Sequence, residues 1–262
     1  MFFKITSRKI KVENAILSIL IAGKGETVVL IPSWARGAND FIDLMKVLVK
    51  SGYRAIAIDP RGVAQSNGSL KGITIHNLAA DVAGIIKALN ASSAHVLGHA
   101  FGNQTARCLA ADYPKLVKSV ILLAAGGEVK PDANAFAALK RTLTENLSDA
   151  EWLSAMKESH FFANGCDPRV WREGWYPNVA IPQLEIGYNT SDETWKRAGT
   201  APILIIQGLE DVLAPPTNGR SLKQKLGDRV RLVELERASH ALLPEQPKII
   251  ADTILNFINN YS

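Results

Sequence analysis

Cysteine is scarce in this sequence, since its 262 residues include two, Cys108 and Cys166. Two cysteines cannot build a framework of several disulfides, and Cys108 falls inside a helical pattern, where a buried apolar role is predicted. Long apolar runs are also missing, because no stretch reaches the roughly 18 residues of a membrane span. The apolar segment "AILSILIAG" is followed directly by another strand pattern, which favours a hairpin over a signal peptide. We therefore expect a cytoplasmic protein with no membrane partner.

Charge of one sign is not concentrated anywhere along the chain. Thirty basic residues stand against 25 acidic ones, a formal net charge of +5, and no basic patch is interleaved with aromatics. Nucleic-acid binding is therefore not expected. No phosphate-binding glycine loop occurs, and no metal-ligand spacing is found among the histidines His76, His95, His99, His160 and His240. We expect no metal, no cofactor and a small-molecule substrate, and leave open whether the chain forms a homodimer.

What the sequence does contain is a regular alternation of short apolar runs with helical patterns. Apolar runs predict strands over residues 4–12, 15–22, 27–33, 53–59, 94–98, 119–125, 202–208 and 230–235. Helical spacing predicts helices over residues 40–51, 76–90, 103–113, 217–226 and 246–260. Continuous apolar strands alternating with helices indicate an α/β protein with a mostly parallel, twisted sheet covered by helices on both faces.

The alternation is interrupted in one long segment. Residues 127–199 contain four of the five tryptophans, several prolines and glycines, and no clear strand pattern. We interpret this segment as a helical cap inserted into a core domain made of residues 1–126 and 200–262.

The stretch "HVLGHAFGNQTARCLAADYP" has the order strand, turn and helix. Glycines at positions 98 and 102 flank the turn, as in a nucleophile elbow, where side chains at those positions would clash with neighbouring backbone. The central position, where a nucleophile is expected, is Ala100.

Two further residues complete the pattern. Asp211 follows the strand "ILIIQG", and His240 follows the last strand. Ligands and catalytic groups gather at the carboxyl ends of such strands. Nucleophile, acid and histidine in this chain order are typical of a catalytic triad, in which the acid orients the imidazole and the imidazole accepts a proton.

Taken together, these motifs resemble the α/β-hydrolase superfamily over nearly the whole chain. Further marks are "VVLIPSW", "DPRGVAQS", "GLEDVLAPP" and "ASHALLPEQP". The resemblance implies an oxyanion hole formed by the backbone N–H groups of Trp34 and Phe101. The chain departs from the family pattern where Pro32-Ser33 replaces His-Gly and Ala64 replaces a glycine. For Ala100, two origins stay open: a bacterial branch whose elbow reads G-H-A-F-G-N, with a natural alanine, or an engineered replacement of serine.

The remaining site predictions concern an alternative acid and the pocket. Glu128 ends the strand after the elbow helix, where some members of the superfamily keep their catalytic acid. The residues that we expect near or lining the pocket are Ser33, His99, Trp152, Phe161, Phe162, Trp171 and Trp175. His99 is favoured as a packed histidine beneath the elbow over a second base.

From this pattern we predict a hydrolase that acts on a small, largely apolar ester-like substrate. Asp211 and His240 would form its acid–base pair, and activity that depends on a serine nucleophile is not expected. Two alternatives stay open. One is an enzyme without acyl chemistry, of the cofactor-free oxygenase or lyase type, that uses a His–Asp dyad. The other is a catalytically dead protein that binds a small molecule.

Overall fold

A computed structural model describes residues 4–191 and 194–261 of the chain. Residues 1–3 and 262 of the predicted core domain and residues 192–193 of the predicted cap lie outside this description. Eight strands are formed: β1 (Thr6–Val12), β2 (Ala15–Ala22), β3 (Thr27–Ile31), β4 (Arg54–Ile58), β5 (Ala94–His99), β6 (Val117–Leu123), β7 (Ile203–Gly208) and β8 (Val230–Leu235).

All eight strands belong to one sheet, in the order β1-β2-β4-β3-β5-β6-β7-β8. The first two strands form an antiparallel hairpin, and β2 pairs antiparallel with β4, whereas the pairs from β4 to β8 are parallel. Every residue of β3, β5 and β7 is buried, because helices cover these strands on both faces. This burial explains why their sequences are continuous apolar runs without alternation.

Five helices alternate with the parallel strands: α1 (Ile42–Lys50), α2 (Ile75–Ala88), α3 (Gly102–Asp112), α7 (Pro216–Leu226) and α8 (Pro247–Ile258). The first of them packs against α8, while α2 packs against α3. Thr74 begins α2 with a capping box closed by Asn77, which satisfies backbone N–H groups of the first turn. The predicted α/β fold with a mostly parallel, helix-covered sheet is therefore confirmed.

Between β6 and β7 lie three more helices, α4 (Ala133–Arg141), α5 (Asp149–Glu158) and α6 (Pro177–Asn189). Asp132 caps α4, and Ser148 and Glu151 form a capping box at the start of α5. No strand forms in the described residues of this segment. Nor does any helix in the described part of the chain have the length and apolar character required to span a bilayer.

Candidate active site

The turn between β5 and α3 is tight and depends on its two glycines. Ala100 has a φ of 47°, in the left-handed region, where an alanine is less favourable than a glycine. A Cβ atom at Gly98 would lie 2.6 Å from the backbone nitrogen of Asn103, and one at Gly102 would lie 2.7 Å from the carbonyl oxygen of Pro32. Glycine is required at both positions because strand and helix approach each other, and β3, too closely for a side chain.

Hydrogen bonds anchor this turn to the end of β6. The backbone N–H of Ala100 donates to the carbonyl oxygen of Leu123 at 2.9 Å. The side-chain amide of Asn103 donates to the carbonyl oxygens of Leu123 and Ala124, at 2.9 and 3.1 Å. Ala100 itself is half-buried, whereas both of its neighbours in the chain are buried. The methyl group of Ala100 is thus presented at the carboxyl edge of the sheet by a firmly held turn.

The loops after β7 and β8 approach each other at the same edge. A Cβ atom at Gly208 would lie 2.5 Å from the carbonyl oxygen of Ala238. The backbone N–H of Glu210 donates to that same carbonyl oxygen at 2.9 Å. This close contact between loops brings Asp211, which follows β7, next to His240, which follows β8.

Asp211 and His240 are hydrogen-bonded to each other. The Nδ1 atom of His240 lies 2.9 Å from Oδ2 and 3.1 Å from Oδ1 of Asp211. The carboxylate also accepts the backbone N–H groups of Leu213 and Ala214. Because a carboxylate accepts and does not donate, Nδ1 carries the hydrogen and Nε2 carries the lone pair. Within the described residues no group is hydrogen-bonded to that Nε2, and the His240 side chain keeps 9% of its surface exposed.

His99, immediately before Ala100, contacts the His240 loop directly. Its Nε2 lies 2.8 Å from the main-chain carbonyl oxygen of His240 and therefore donates to it. The two imidazole rings lie 5.8 Å apart, centroid to centroid. Burial lowers the pKa of His99 to about 3, so this imidazole is neutral. Its Nδ1 is buried and has no hydrogen-bond partner among the described residues.

Two main-chain N–H groups near this site are left without acceptors. Neither the N–H of Trp34 nor that of Phe101 donates a hydrogen bond within the described residues. Phe101 follows Ala100 in the turn, while Trp34 belongs to the loop after β3. The Trp34 ring is fixed, since its Nε1–H donates to the carbonyl oxygen of Ala180 at 2.7 Å. The next backbone N–H, that of Ala35, donates to the side chain of Gln183 at 2.8 Å. Ser33, which precedes Trp34, is buried.

A group of aromatic rings lies beside His240, on the side of the segment between β6 and β7. The ring of Phe161 packs edge-on against the imidazole of His240, with centroids 5.1 Å apart, and Trp171 lies 6.0 Å from His99. These rings also contact each other. We call this set of residues the aromatic cluster: Phe161, Phe162, Trp171 and Trp175.

Two residues from the sequence predictions lie apart from this group. The Trp152 ring lies beneath the guanidinium of Arg172, 4.9 Å away, and no ring pair or hydrogen bond among the described residues joins it to His99 or His240. Glu128 is exposed and forms an ion pair with Lys225, which holds the pKa of this carboxyl below its ordinary value. Of the two candidate acids, Asp211 is the one in contact with the histidine.

A buried ion pair beside the site was missed in the sequence. Arg36 and Asp40 are almost fully buried and joined by a hydrogen bond of 2.9 Å. The guanidinium stacks on the rings of Trp171 and Trp175, 4.7 and 4.6 Å from their centroids, and donates to the carbonyl oxygen of Glu173 at 2.8 Å. The signal for this ion pair in the sequence was two opposite charges four residues apart. This pair connects the loop after β3 to the aromatic cluster.

Glu245 was also missed, and it holds the His240 loop in place. Its carboxylate accepts the backbone N–H groups of Ala163, Ser239 and Leu242 at 2.5, 3.0 and 2.7 Å. Burial raises the pKa of this carboxyl, and the three N–H groups oppose the rise. The only signal for Glu245 in the sequence is its position five residues after His240.

Comparison with known proteins agrees with this architecture. The model of the alpha/beta hydrolase fold family matches residues 26–247. The chain is 27% identical to the non-heme chloroperoxidase CPO-A1 of Kitasatospora aureofaciens, over 90% of this chain and 94% of that protein. It is 24% identical to the 2-(acetamidomethylene)succinate hydrolase of Mesorhizobium japonicum, over 97% and 95% of the two chains. The structure of Rv0554 from Mycobacterium tuberculosis superposes with a TM-score of 0.81 at 22% identity, covering 98% of this chain and all of that one. The chain therefore belongs to the alpha/beta hydrolase fold family.

Proposed function

We propose that the protein is a hydrolase of small, largely apolar, ester-like substrates, in which the His240–Asp211 pair activates a water molecule. The observation that carries this proposal is the 2.9 Å bond between His240 Nδ1 and Asp211 Oδ2. This bond leaves Nε2 of His240 as a base without a protein partner among the described residues. A base held in one tautomer by a buried carboxylate is the arrangement that general-base catalysis requires.

Ala100 occupies the nucleophile position in this proposal and has no hydroxyl to form an acyl-enzyme. Water takes over the attack: its oxygen adds to the acyl carbon while Nε2 of His240 accepts its proton. The unpaired N–H groups of Trp34 and Phe101 donate hydrogen bonds to the substrate oxygen and stabilise the negative charge that develops on it. The imidazolium of His240 then returns the proton to the leaving alkoxide, and the carbon–oxygen bond of the ester breaks.

The size of the rate enhancement that this route can supply limits which substrates it can hydrolyse. Removal of the serine in a well-studied protease lowers turnover about 10⁶-fold, whereas a positioned general base contributes about 10²–10⁴-fold. The proposed hydrolase is therefore restricted to esters with good leaving groups or to comparably activated acyl compounds.

The preference for apolar substrates rests on the residues that surround His240. Phe161 packs on the imidazole, and the other rings of the aromatic cluster extend from it. We propose that residues 127–199 act as a cap that supplies this apolar wall and excludes bulk water from the site.

A second candidate is proton abstraction from a bound carbon acid, without acyl transfer. Ala100 itself favours it, because a His–Asp pair without a neighbouring hydroxyl retains a base and loses the nucleophile. A relative bears the name non-heme chloroperoxidase, so chemistry other than ester hydrolysis is named within the family.

The test measures hydrolysis of p-nitrophenyl esters with acyl chains from acetyl to octanoyl. The variants are His240→Asn and, as the matched control, His160→Asn, whose side chain is exposed. We expect His240→Asn to lower kcat/KM by about 10²–10⁴-fold and His160→Asn to leave it unchanged. Equal rates in the wild type and His240→Asn would overturn the proposal. No ester turnover, with His240-dependent uptake of deuterium from D₂O into added β-diketones, would favour the second candidate instead.

A further inference from the structure

Three side chains with metal-ligating atoms converge at a place remote from His240. The Nδ1 atom of His76 lies 2.7 Å from Oδ2 of Asp112 and 3.3 Å from Sγ of Cys108. The distance from that Sγ to Asp112 Oδ2 is 3.4 Å. An imidazole, a thiol and a carboxylate thus present one atom each within a sphere of a few ångströms.

The packing of α2 against α3 produces this cluster. Cys108 and Asp112 are four residues apart on α3 and therefore lie on the same face of the helix. His76 is the second residue of α2, which packs beside α3. Thirty-two positions separate His76 from Cys108, so no local spacing in the sequence indicated a ligand set. The sequence-based expectation of no metal stays a prediction, and the proposal below departs from it.

The geometry differs from that of a catalytic cysteine. A Cys–His–Asp relay uses the two ring nitrogens separately, one for the thiol and one for the carboxylate. Here Cys108 and Asp112 both approach the same nitrogen of His76. Three ligand atoms that lie within 3.4 Å of one another can bind a single cation.

Two of the three distances are close to those of a tetrahedral metal centre. Bond lengths of about 2.0 Å to nitrogen or oxygen and about 2.3 Å to sulfur separate tetrahedral neighbours by about 3.3 Å, or about 3.5 Å where sulfur is one of them. Both observed distances to Cys108 Sγ lie within about 0.2 Å of that value. The distance between His76 and Asp112 is about 0.6 Å shorter than a tetrahedral edge. A small rotation of either side chain, 34% and 29% exposed respectively, is enough to open it.

The end of α3 also favours a cation at this point. Asp112 is the last residue of α3, where the partial negative charge of the helix end attracts a cation. A divalent cation bound to a thiolate, a carboxylate and a neutral imidazole gives a net charge of zero.

We propose that His76, Cys108 and Asp112 form a binding site for a borderline-soft divalent cation of the Zn²⁺ class. Sulfur and nitrogen ligands select Zn²⁺ over Mg²⁺ and Ca²⁺, which prefer oxygen alone. The fourth position is taken by water, because the site is open to solvent on the side of His76 and Asp112. On binding, the Cys108 thiol releases its proton, and the hydrogen of the neutral His76 imidazole moves from Nδ1 to Nε2, so that Nδ1 presents its lone pair to the ion.

This site is independent of the proposed hydrolase activity. Cys108 lies eight residues along the chain from Ala100, about 12 Å at the rise of an α-helix. The ion would join α2 to α3 and stabilise the folded chain by mass action. Its detection requires no substrate.

The test titrates the full chain, freed of metals with a chelator, with Co²⁺ as a spectroscopic substitute for Zn²⁺. We expect a thiolate-to-cobalt charge-transfer band that saturates at one equivalent and disappears when Zn²⁺ is added. The variant Cys108→Ala should lose the band, whereas the matched control Cys166→Ala, which alters the other cysteine, should keep it. Circular dichroism checks that each variant is folded.

A second variant keeps the buried cysteine intact. His76→Asn alters a partly exposed ligand, and we expect it to weaken Zn²⁺ binding at least on the order of 100-fold, because even outer-shell changes cost 10–100-fold. The Zn²⁺-dependent rise in Tm should disappear with it. The proposal is overturned by a folded wild type that gives no charge-transfer band at stoichiometric Co²⁺. It is equally overturned by a band that persists in Cys108→Ala. In either case the three side chains are simply hydrogen-bonded to one another.

Discussion

The imidazole of His99 donates a hydrogen bond of 2.8 Å to the main-chain carbonyl oxygen of His240. This bond connects the residue before Ala100 to the residue that bears the base of the proposed dyad. Because His99 is neutral and buried, the connection does not depend on pH near neutrality. The distance between position 100 and the His240 loop is therefore set by a direct contact rather than by flexible loops.

Restoring a serine tests whether this arrangement is still competent for acyl transfer. We expect Ala100→Ser to react with a fluorophosphonate and gain the mass of one adduct per chain, as followed by intact-mass spectrometry. The reason is that a hydroxyl at this turn would lie at the same edge of the sheet as a base already oriented by Asp211 and the two unpaired N–H groups of Trp34 and Phe101.

The chain with Ala100 and the double variant Ala100→Ser/His240→Ala are the controls, and neither should be labelled. A folded Ala100→Ser variant that remains unlabelled would mean that position 100 and His240 are not aligned for acyl transfer.

The carboxylate of Asp211 should support catalysis by orienting the imidazole of His240. We expect Asp211→Asn to lower kcat on activated esters by up to about 10²–10⁴-fold, the full contribution of the base, because an amide can donate to Nδ1 and so favours the wrong tautomer. Kinetics with p-nitrophenyl acetate measure the effect, and Glu128→Gln is the matched control at the alternative acid. A larger loss in Glu128→Gln than in Asp211→Asn would reverse the assignment of the acid.

The turn requires glycine at position 98 for steric reasons. Replacing Gly98 should therefore make the protein less stable. We expect Gly98→Ala to lower the free energy of unfolding by about 3 kcal/mol or more, since the new Cβ would meet backbone that cannot move aside. Urea unfolding followed by tryptophan fluorescence measures the change. Gly126→Ala is the control, because a Cβ there meets nothing within 4 Å. Similar stabilities for the two variants would show that the turn tolerates a side chain.

Breaking the buried pair of Arg36 and Asp40 should be costly. We expect Asp40→Ala to lower the free energy of unfolding by about 3–5 kcal/mol, because it leaves a buried guanidinium without its counter-charge. Asp43→Ala, which removes one partner of an exposed ion pair with Lys46, should cost no more than about 1 kcal/mol. Chemical unfolding at one pH compares them. If Asp40→Ala costs as little as Asp43→Ala, the carboxylate does not stabilise Arg36.

His95 should make stability depend on pH in a defined window. Burial lowers the pKa of His95 to about 4 from an unfolded value of 6.5. Between these values the unfolded chain binds a proton that the folded chain does not, so stability falls as the pH falls from 6.5 towards 4 and is unaffected above 6.5.

The variant His95→Gln removes this contribution. The wild type should lose up to about 1.4 kcal/mol more per pH unit than His95→Gln within the window, as measured by urea unfolding at pH 7.5, 6, 5 and 4.5. Parallel curves for both proteins would mean that His95 binds its proton equally well in the folded and unfolded states.

Much of the fold could be predicted because strands and helices are encoded locally. The buried strands β3, β5 and β7 are continuous apolar runs, and the helices between them have apolar residues at helical spacing. The turn around Ala100 was recognisable for the same reason, since both of its glycines lie within five residues. Asp211 and His240 were found by their position after strands, together with the family resemblance of the short sequences around them.

What the sequence by itself determined is the order of strands and helices and the chemical identity of the groups at their ends, including the alanine at position 100. Tertiary structure alone decided which of those groups meet. It paired Asp211 rather than Glu128 with His240, stacked Arg36 between two tryptophans, and brought His76 to Cys108 across two helices. The physical reason is that these contacts depend on how distant segments pack, and packing depends on the whole apolar core rather than on the spacing of residues along the chain.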